Sequence, residues 1–342
     1  MNTEDQLIGR LVGRIQKRLG ARNRAPAAHV VSGESLRLGV GDDACVLRSK
    51  RGYEWVASTD AFIEDVHFRL RLHTPASIGY KALARAASDL GTMGAVPRCF
   101  LLSLALPPSL TGRWLDGFSD GLARAAQKFG MVLAGGDTSR TKATFINITV
   151  LGEVRAGRAI LRSGAQPGDR VFVTGRLGAA QLGLEILLRG LSRRPELRRY
   201  LAPHLLPHPP VTFGQWLARR GLPSAMMDLS DGLSTDLDRL CRASGVGARV
   251  QESNLPAVRV PESLRRRGID ATTLALNGGE DYQLLFTVPA RLAAGIPTVH
   301  DGVRTAEIGE IVRGPGVSLI SARGKSSPLT PRGWDHFGKR RS

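Results

Sequence analysis

STDAFIEDVHF, Ser58–Phe68, follows directly on the apolar run Trp55, Val56 and Ala57. That run predicts the end of a buried strand, with Ser58, Thr59 and Asp60 arriving where the chain leaves the sheet. Hard oxygens clustered at a strand end suit a cation. Mg2+ takes about six oxygen ligands and is usually held by one or two carboxylates, with phosphates and water completing the shell. GDD at Gly41–Asp43 precedes the stretch, and further acids recur at Asp89, Asp137, Asp228 and Asp231 in Gly- or Ser-containing segments that read as turns. The recurrence points to a phosphate site that uses several metal ions.

Working outward, Leu7, Ile8, Leu11, Val12, Ile15 and Leu19 recur at helical spacing, and Gly20 is a natural stop. Residues 21–35 read as a loop. GVGDDA, Gly39–Ala44, matches half of a dinucleotide fingerprint. Two adjacent carboxylates would repel a pyrophosphate and no helical pattern follows, so that reading is rejected. Thr74 and Pro75 predict the cap and first position of a helix reaching about Gly91. Cys99–Leu106 reads as a strand, Thr111 as the cap of a helix ended by Gly130, and Met131–Ala134 as a strand feeding GGDTSR, Gly135–Arg140. With Phe145–Glu153 again strand-like, the first half is α/β or α+β.

The boundary is placed near Ala156–Gly157, which gives domains 1–156 and 157–342. Beyond it come a strand at Arg170–Thr174, a glycine turn with an apolar helix at Gly175–Gly190, and a strand at Ala225–Leu229 leading into SDG, Ser230–Gly232. NGGEDYQLLFTV, Asn277–Val288, places a glycine turn before strand residues. GGE at Gly278–Glu280 thereby echoes GGD at Gly135–Asp137.

Composition narrows the function classes. The 342 residues carry a net charge of +18, nearly all of it dispersed arginine. No recognition helix, zinc-finger spacing or aromatic-basic RNA motif accompanies that charge, so no nucleic-acid partner is expected, although it favours polyphosphate ligands. Cys45, Cys99 and Cys241 are scattered, which indicates neither a disulfide framework nor a zinc site. The longest apolar stretch, Phe100–Leu106, is far short of the ~20 residues of a membrane span, and the opening MNTEDQ is polar. A soluble cytoplasmic protein without a membrane partner is expected. There is no P-loop: Gly324-Lys325-Ser326 would need glycine where Leu319 stands. The protein-kinase HRD and DFG set is missing too. His204 and His208 are separated by Pro207, which argues against a helical metal pair. What remains is phosphate chemistry run by carboxylates and metals.

GDDA, STD, VHF, SDL at Ser88–Leu90, GGDTSR, DLSDGL at Asp228–Leu233 and GGEDYQLLFT occur in that order, with PRGWDHF at Pro331–Phe337. The ordered set resembles the thiamine-monophosphate kinases of the AIR synthetase-like superfamily over nearly the whole chain. The chain departs from that pattern in lacking a GEF opening and in carrying Cys45 after GDDA. The resemblance implies a two-domain α/β (α+β) fold, with an N-terminal mixed sheet pairing into a dimeric β-barrel and a C-terminal α/β sandwich. It implies ATP-dependent phosphorylation of thiamine phosphate to thiamine diphosphate by a homodimer. It also implies Mg2+ ligands at Asp43, Ser58, Thr59, Asp60, Asp89, Asp137, Asp228 and Asp231, and nucleotide contacts at Gly136, Asp137, Arg162 and Ser230. Substrate contacts would be His67, Glu280 and Trp334.

The residue types suit that reaction. The acceptor is a phosphate monoester with a second pKa near ~6, already anionic at neutral pH, so no general base is expected. Transfer between two anions depends on positioning and charge neutralisation, and a direct in-line step without a phosphoenzyme is expected. The alternatives are another superfamily enzyme, making aminoimidazole ribonucleotide or selenophosphate, and a nucleic-acid-binding protein on the same scaffold.

Overall fold

The structure, a computed structural model, describes residues 4–19, 36–38, 44–48 and 50–334. Asp43, the loop at 21–35 and the end of the PRGWDHF motif lie outside the described residues. The chain forms two compact units, Met1–Gly91 with Ala95–Ala159 and Thr92–Gly94 with Ile160–Ser342.

In the first unit the order is α1 (Glu4–Leu19), β1 (Leu36–Leu38), β2 (Val46–Leu47), β3 (Tyr53–Ile63), α2 (Pro75–Thr92), β4 (Val96–Leu106), α3 (Arg113–Phe129), β5 (Val132–Arg140) and β6 (Phe145–Arg155). Strands β3-β6-β4-β5 make one sheet, parallel between β4 and β5 and antiparallel elsewhere. One face carries Phe62, Phe100, Leu102, Leu104, Ile146, Ile148 and Val150, all buried. α2 lies on that face, where the Leu90 side chain comes against Gly152 of β6. α2 and α3 cross at Gly79 and Gly121, where a Cβ would fall 2.1 Å from Phe118 O and 1.9 Å from Ala76 O. Only glycine allows so close an approach of two backbones. On the other face the β1–β2 hairpin covers Cys99 and Ala134 with Leu36, Cys45 and Leu47.

Helix α2 begins as predicted, with Ser77 N donating to Thr74 Oγ1 at 3.1 Å. Gly130 ends α3 in the left-handed conformation, and Met131 N bonds back to Ala126 O. Thr111 is not the α3 cap. Its hydroxyl donates to Pro108 O across a short 3-10 turn, and Gly112 takes the cap position. Two expectations about the acids change as well. Ser58–Asp60 lie in the middle of an eleven-residue strand that pairs with β6 along its whole length, and Gly135–Arg140 continue β5 instead of turning.

The second unit contains β7 (Arg170–Thr174), α4 (Ala179–Leu188), α5 (Ala202–Leu205), α6 (Val211–Arg220), β8 (Ala225–Asp228), α7 (Leu233–Ser244), β9 (Gly247–Gln251), α8 (Glu262–Arg265), α9 (Ala271–Asn277), β10 (Leu284–Val288), β11 (Val299–His300), β12 (Val303–Val312), β13 (Gly316–Ile320) and β14 (Ser326–Pro328). Its sheet runs β14-β13-β9-β12-β7-β10-β8, with β11 on β12 and with β13 and β9 parallel. Both faces are covered, so β10 reads as the unbroken run LLFTV and is buried throughout. Leu285 packs with Leu233, Leu237 and Leu240 of α7, and Phe286 packs with Phe213 and Leu217 of α6. Among the described residues no helix is long and apolar enough to cross a membrane.

Candidate functional site

The period of two along β3 divides its oxygens between the faces of the sheet. Ser58 and Asp60 point with Phe62 toward α2, and Thr59 points the other way. Ser58 Oγ donates to Asp89 Oδ2 at 2.5 Å, and Asp60 meets the guanidinium of Arg85. These contacts share one geometry. Two residues along a strand span about 6.6 Å and four residues along a helix about 6 Å, so Ser58 and Asp60 face Asp89 and Arg85 one helical turn apart. Asp89 therefore stands inside α2 with a hydroxyl donor on its carboxylate near the helix C-terminus, where its charge is least favoured.

Thr59 bonds instead to Asn147 Nδ2 and Thr149 Oγ1 of β6, both at 3.0 Å. Asn147 pairs with Ser103 of β4, and Ser103 with Asp137 of β5, so Thr59 and Asp137 share this second face at opposite edges of the sheet. Three strand spacings and a two-residue offset in register put them about 16 Å apart. Asp137 is exposed, with Ser139 Oγ at 3.5 Å. At Gly136 a Cβ would lie 2.0 Å from Leu102 O, so the glycine is required by β4 whatever else approaches it. His67 folds back onto its own turn. Its Nδ1 accepts from Ile63 N at 3.1 Å and its ring lies 5.8 Å from that of Phe62. That bond assigns the neutral-ring proton to Nε2.

In the second unit three glycine-containing segments converge behind β8. The strand ends at Asp228, which is buried, and the chain turns through Ser230–Gly232. Ser230 O accepts from Glu280 N at 2.7 Å, and Asp231 O accepts from Trp334 N at 3.1 Å. A Cβ at Gly279 would lie 2.7 Å from Ser230 O, at Gly333 2.0 Å from Asp231 O, and at Gly232 2.8 Å from Asn277 C. The glycines of SDG, GGED and RGW thus share one purpose, letting three backbones touch. Glu280 and Tyr282 hold left-handed conformations at φ 65° and 49°, each costing about 1–3 kcal/mol that the packed surroundings must offset. Arg162 is exposed, and its carbonyl accepts from Ser244 Oγ at 3.2 Å.

Four residues to which the sequence alone gives no such role hold this arrangement. Asp236, on the first turn of α7, accepts from Asp231 N and Gly232 N at 3.0 Å each. Burial, and next the Asp231 carboxylate, push Asp236 up to about 6. Arg239 Nη1 bridges Asp231 and Asp236. Asp281 accepts from Gly178 N and Ala180 N at the start of α4, and His204 of α5 stands beside Glu280. An acid in the first helical turn after SDG was the available signal for Asp236. The sequence offers no comparable signal for His204, 76 positions from Glu280.

A family model described as AIR synthase related protein, N-terminal domain, matches residues 41–154, and the corresponding C-terminal model matches residues 166–321. The thiamine-monophosphate kinase of Salmonella typhimurium is 38% identical over 315 residues, covering 88% of this chain and 92% of that protein. This chain belongs to the thiamine-monophosphate kinase family. Among solved structures, the thiamine-monophosphate kinase of Stenotrophomonas maltophilia K279a superposes with a TM-score of 0.79 at 31% identity, covering 93% of this chain and 97% of that one. AaThiL complexed with AMPPCP and TMP gives a TM-score of 0.74 at 30% identity, covering 98% and 99%.

Family membership implies a divalent cation, and the donor chemistry agrees, since hydroxyl and carboxylate oxygens suit Mg2+. Ser58, Asp60 and Asp89 gather on one face of the first sheet. Among the described residues, however, no three acidic, His or Cys groups converge on one point. Asp60 and Asp231 each carry an arginine. The residues present fit a cation whose remaining ligands come from phosphate and water.

Proposed function

We propose that this chain transfers the γ-phosphoryl group of ATP directly to thiamine phosphate, giving thiamine diphosphate and ADP, the last step in making that cofactor. The observation that carries the reading is the near full-length likeness to AaThiL complexed with AMPPCP, an ATP analogue, and TMP, read here as thiamine monophosphate. The second unit supports it. Thiamine phosphate joins a cationic thiazolium to an anionic phosphate, and the SDG turn holds a carboxylate and an indole on successive carbonyls, Glu280 through Ser230 and Trp334 through Asp231. Glu280 offers charge to the thiazolium, and Trp334, 45% exposed, offers a ring face to it. His67 is assigned to the same substrate, and Gly136, Asp137, Arg162 and Ser230 to the nucleotide.

Mg2+ held by Asp43, Ser58, Thr59, Asp60, Asp89, Asp137, Asp228 and Asp231 would neutralise phosphate oxygens in a loose, charge-rich transition state. The chain itself positions the two anions and requires no general base, because the acceptor oxygen is already ionised. In this reading residues 1–156 supply most metal and nucleotide contacts, and residues 157–342 complete the nucleotide and substrate site. We also propose a homodimer formed through the second face of the first sheet, where Phe145 is 37% exposed. A cytoplasmic location is proposed from the ATP requirement and the three unpaired cysteines.

The test supplies ATP and Mg2+ with thiamine phosphate or with free thiamine. ADP and thiamine diphosphate forming in equal amounts, and only from thiamine phosphate, is expected. ATP binding with no turnover of thiamine phosphate would move the substrate to another member of the superfamily.

A further inference from the structure

Arg85 stands on α2 one turn before Asp89, and its guanidinium engages both oxygens of Asp60. Nε lies 2.9 Å from Oδ2, and Nη2 donates to Oδ1 at 3.0 Å. On its other side Nη1 donates to Ala61 O at 3.2 Å, and the guanidinium carbon lies 5.2 Å over the Phe62 ring. The Arg85 side chain is 11% exposed and that of Asp60 25%. A surface ion pair is weak largely because two long side chains must be immobilised for it. Here a carbonyl, a ring and a carboxylate fix the guanidinium together, with Nη2 hydrogen-bonded to Asp60 and Nε held beside it by charge without hydrogen-bond geometry.

We propose that Arg85 is the resident cation of Asp60, a positioning residue that neutralises this carboxylate until nucleotide arrives. The inference rests on the reading of Asp60 as a metal ligand. A divalent ion reaches Asp60 only by sharing or displacing a guanidinium already bound to both oxygens. Three positive charges within a few ångströms of one carboxylate repel one another strongly in a partly dry site. A polyphosphate entering with the metal brings the compensating negative charge. Metal affinity at Asp60 is therefore low in the nucleotide-free protein and rises when nucleotide binds, and by reciprocity the metal raises nucleotide affinity by the same factor. The arrangement keeps a carboxylate in place for Mg2+ without collecting the ion on its own.

The test titrates the nucleotide-free full chain with Mn2+, followed by electron paramagnetic resonance, with circular dichroism and melting curves confirming the fold of each variant. Arg85→Met should bind Mn2+ about tenfold more tightly than the wild type, the order expected when an opposing charge beside a carboxylate is removed. The double variant Arg85→Met with Asp60→Asn should lose that gain. Equal binding by Arg85→Met and the wild type overturns the inference, as does a gain that survives in the double variant. Should Arg85→Met not fold, Arg85→Lys decides. One ammonium cannot engage both oxygens, so a gain of a few-fold is expected and no gain overturns the proposal. With AMPPCP present, weaker Mn2+ binding by Asp60→Asn than by the wild type upholds Asp60 as a ligand. Unchanged binding there removes that reading and the inference with it, whereas failure of the Arg85 variants alone removes only the inference.

Discussion

His204 Nδ1 stands 3.2 Å from Glu280 Oε2, with the imidazole 2% exposed and the carboxylate 23%. Glu280 is thereby held at both ends, by His204 at the side chain and by Ser230 O at the backbone, in a left-handed conformation that a free loop would leave.

From this contact follows a split in kinetic constants. If Glu280 meets the thiazolium as proposed, His204→Ala should raise the KM for thiamine phosphate by about tenfold while the KM for ATP stays within about twofold, because the group lost orients the Glu280 side chain. His204→Gln, which keeps a polar group near the same place, should recover part of the loss. Steady-state kinetics with each substrate varied in turn decides it. Equal rises in both constants would make His204 a general packing residue.

Two helical glycines predict opposite effects of one substitution. Alanine is favoured over glycine in a helix by about 1 kcal/mol. Gly9 of α1 has nothing within 4 Å of its Cβ position, so Gly9→Ala should stabilise the protein by about that amount. At Gly121 the added carbon would lie 1.9 Å from the Ala76 carbonyl, and moving a backbone outweighs the propensity. Gly121→Ala should destabilise by about 1–3 kcal/mol. Urea midpoints of the two variants measure both signs.

The same contrast bears on how far the sequence could be read. Helix starts and stops that depend on a residue's own chemistry were legible: Thr74 with Pro75 at α2, Gly130 after α3, and the glycine turn at SDG. The position of Ser58–Asp60 within the sheet was not. Trp55–Ala57 looked like the end of a strand, and the pairing that carries β3 on to Ile63 comes from β6, some ninety residues later. For the same reason STD read as one cluster of oxygens, although the pleat sends Thr59 away from Ser58 and Asp60. Cationic partners of the acids were hidden in another way. Arg85 and Arg239 are two among many arginines, and only the fold distinguishes them.

Helix α1 is fastened to α3 by charge. Asp120 accepts from Arg14 Nη2 at 2.7 Å and from Arg18 Nε at 2.9 Å, and the Arg14 hydrogen bond is the largest cause holding its carboxyl down at about 2. Both arginines are well exposed, so each pair contributes only about 0.2–1 kcal/mol. Asp120→Asn should cost about 1 kcal/mol at pH 7 and low salt. Most of that difference should vanish at 1 M salt, where the screening length falls to about 3 Å. Because the folded protein binds this proton less tightly than the unfolded chain, the contribution is present above about pH 4 and lost as pH falls through about 2. Denaturation curves of both proteins at the two salt concentrations would show a salt-independent cost if Asp120 acted by packing instead.

Asp281 reverses that sign. Its buried carboxyl accepts from Gly178 N at 2.5 Å and Ala180 N at 2.9 Å, which ties the GGED loop to the first turn of α4. Burial pushes the group up to about 7, against those N–H donors, which favour the ionised form. The folded protein holds the proton more tightly than the unfolded chain, whose aspartate titrates near 3.8. The stability it contributes is therefore complete below about pH 4 and is lost as pH rises through about 7. Asp236, raised to about 6, adds to the trend, so the wild type should melt at a lower temperature at pH 8 than at pH 5. Asp281→Asn cannot titrate, and it puts a donor-only NH2 where the neutral acid present at pH 5 keeps a hydroxyl oxygen that can still accept from an N–H of α4. At pH 5 the variant should be less stable by about 1–3 kcal/mol, the cost of a buried donor left unsatisfied. Between pH 5 and pH 8 its stability should change less than that of the wild type, and the two curves should converge as pH rises. Parallel curves would mean that the N–H groups of α4 outweigh burial and keep Asp281 ionised throughout, which would make the link between the GGED loop and α4 a fixed charge at the helix N-terminus.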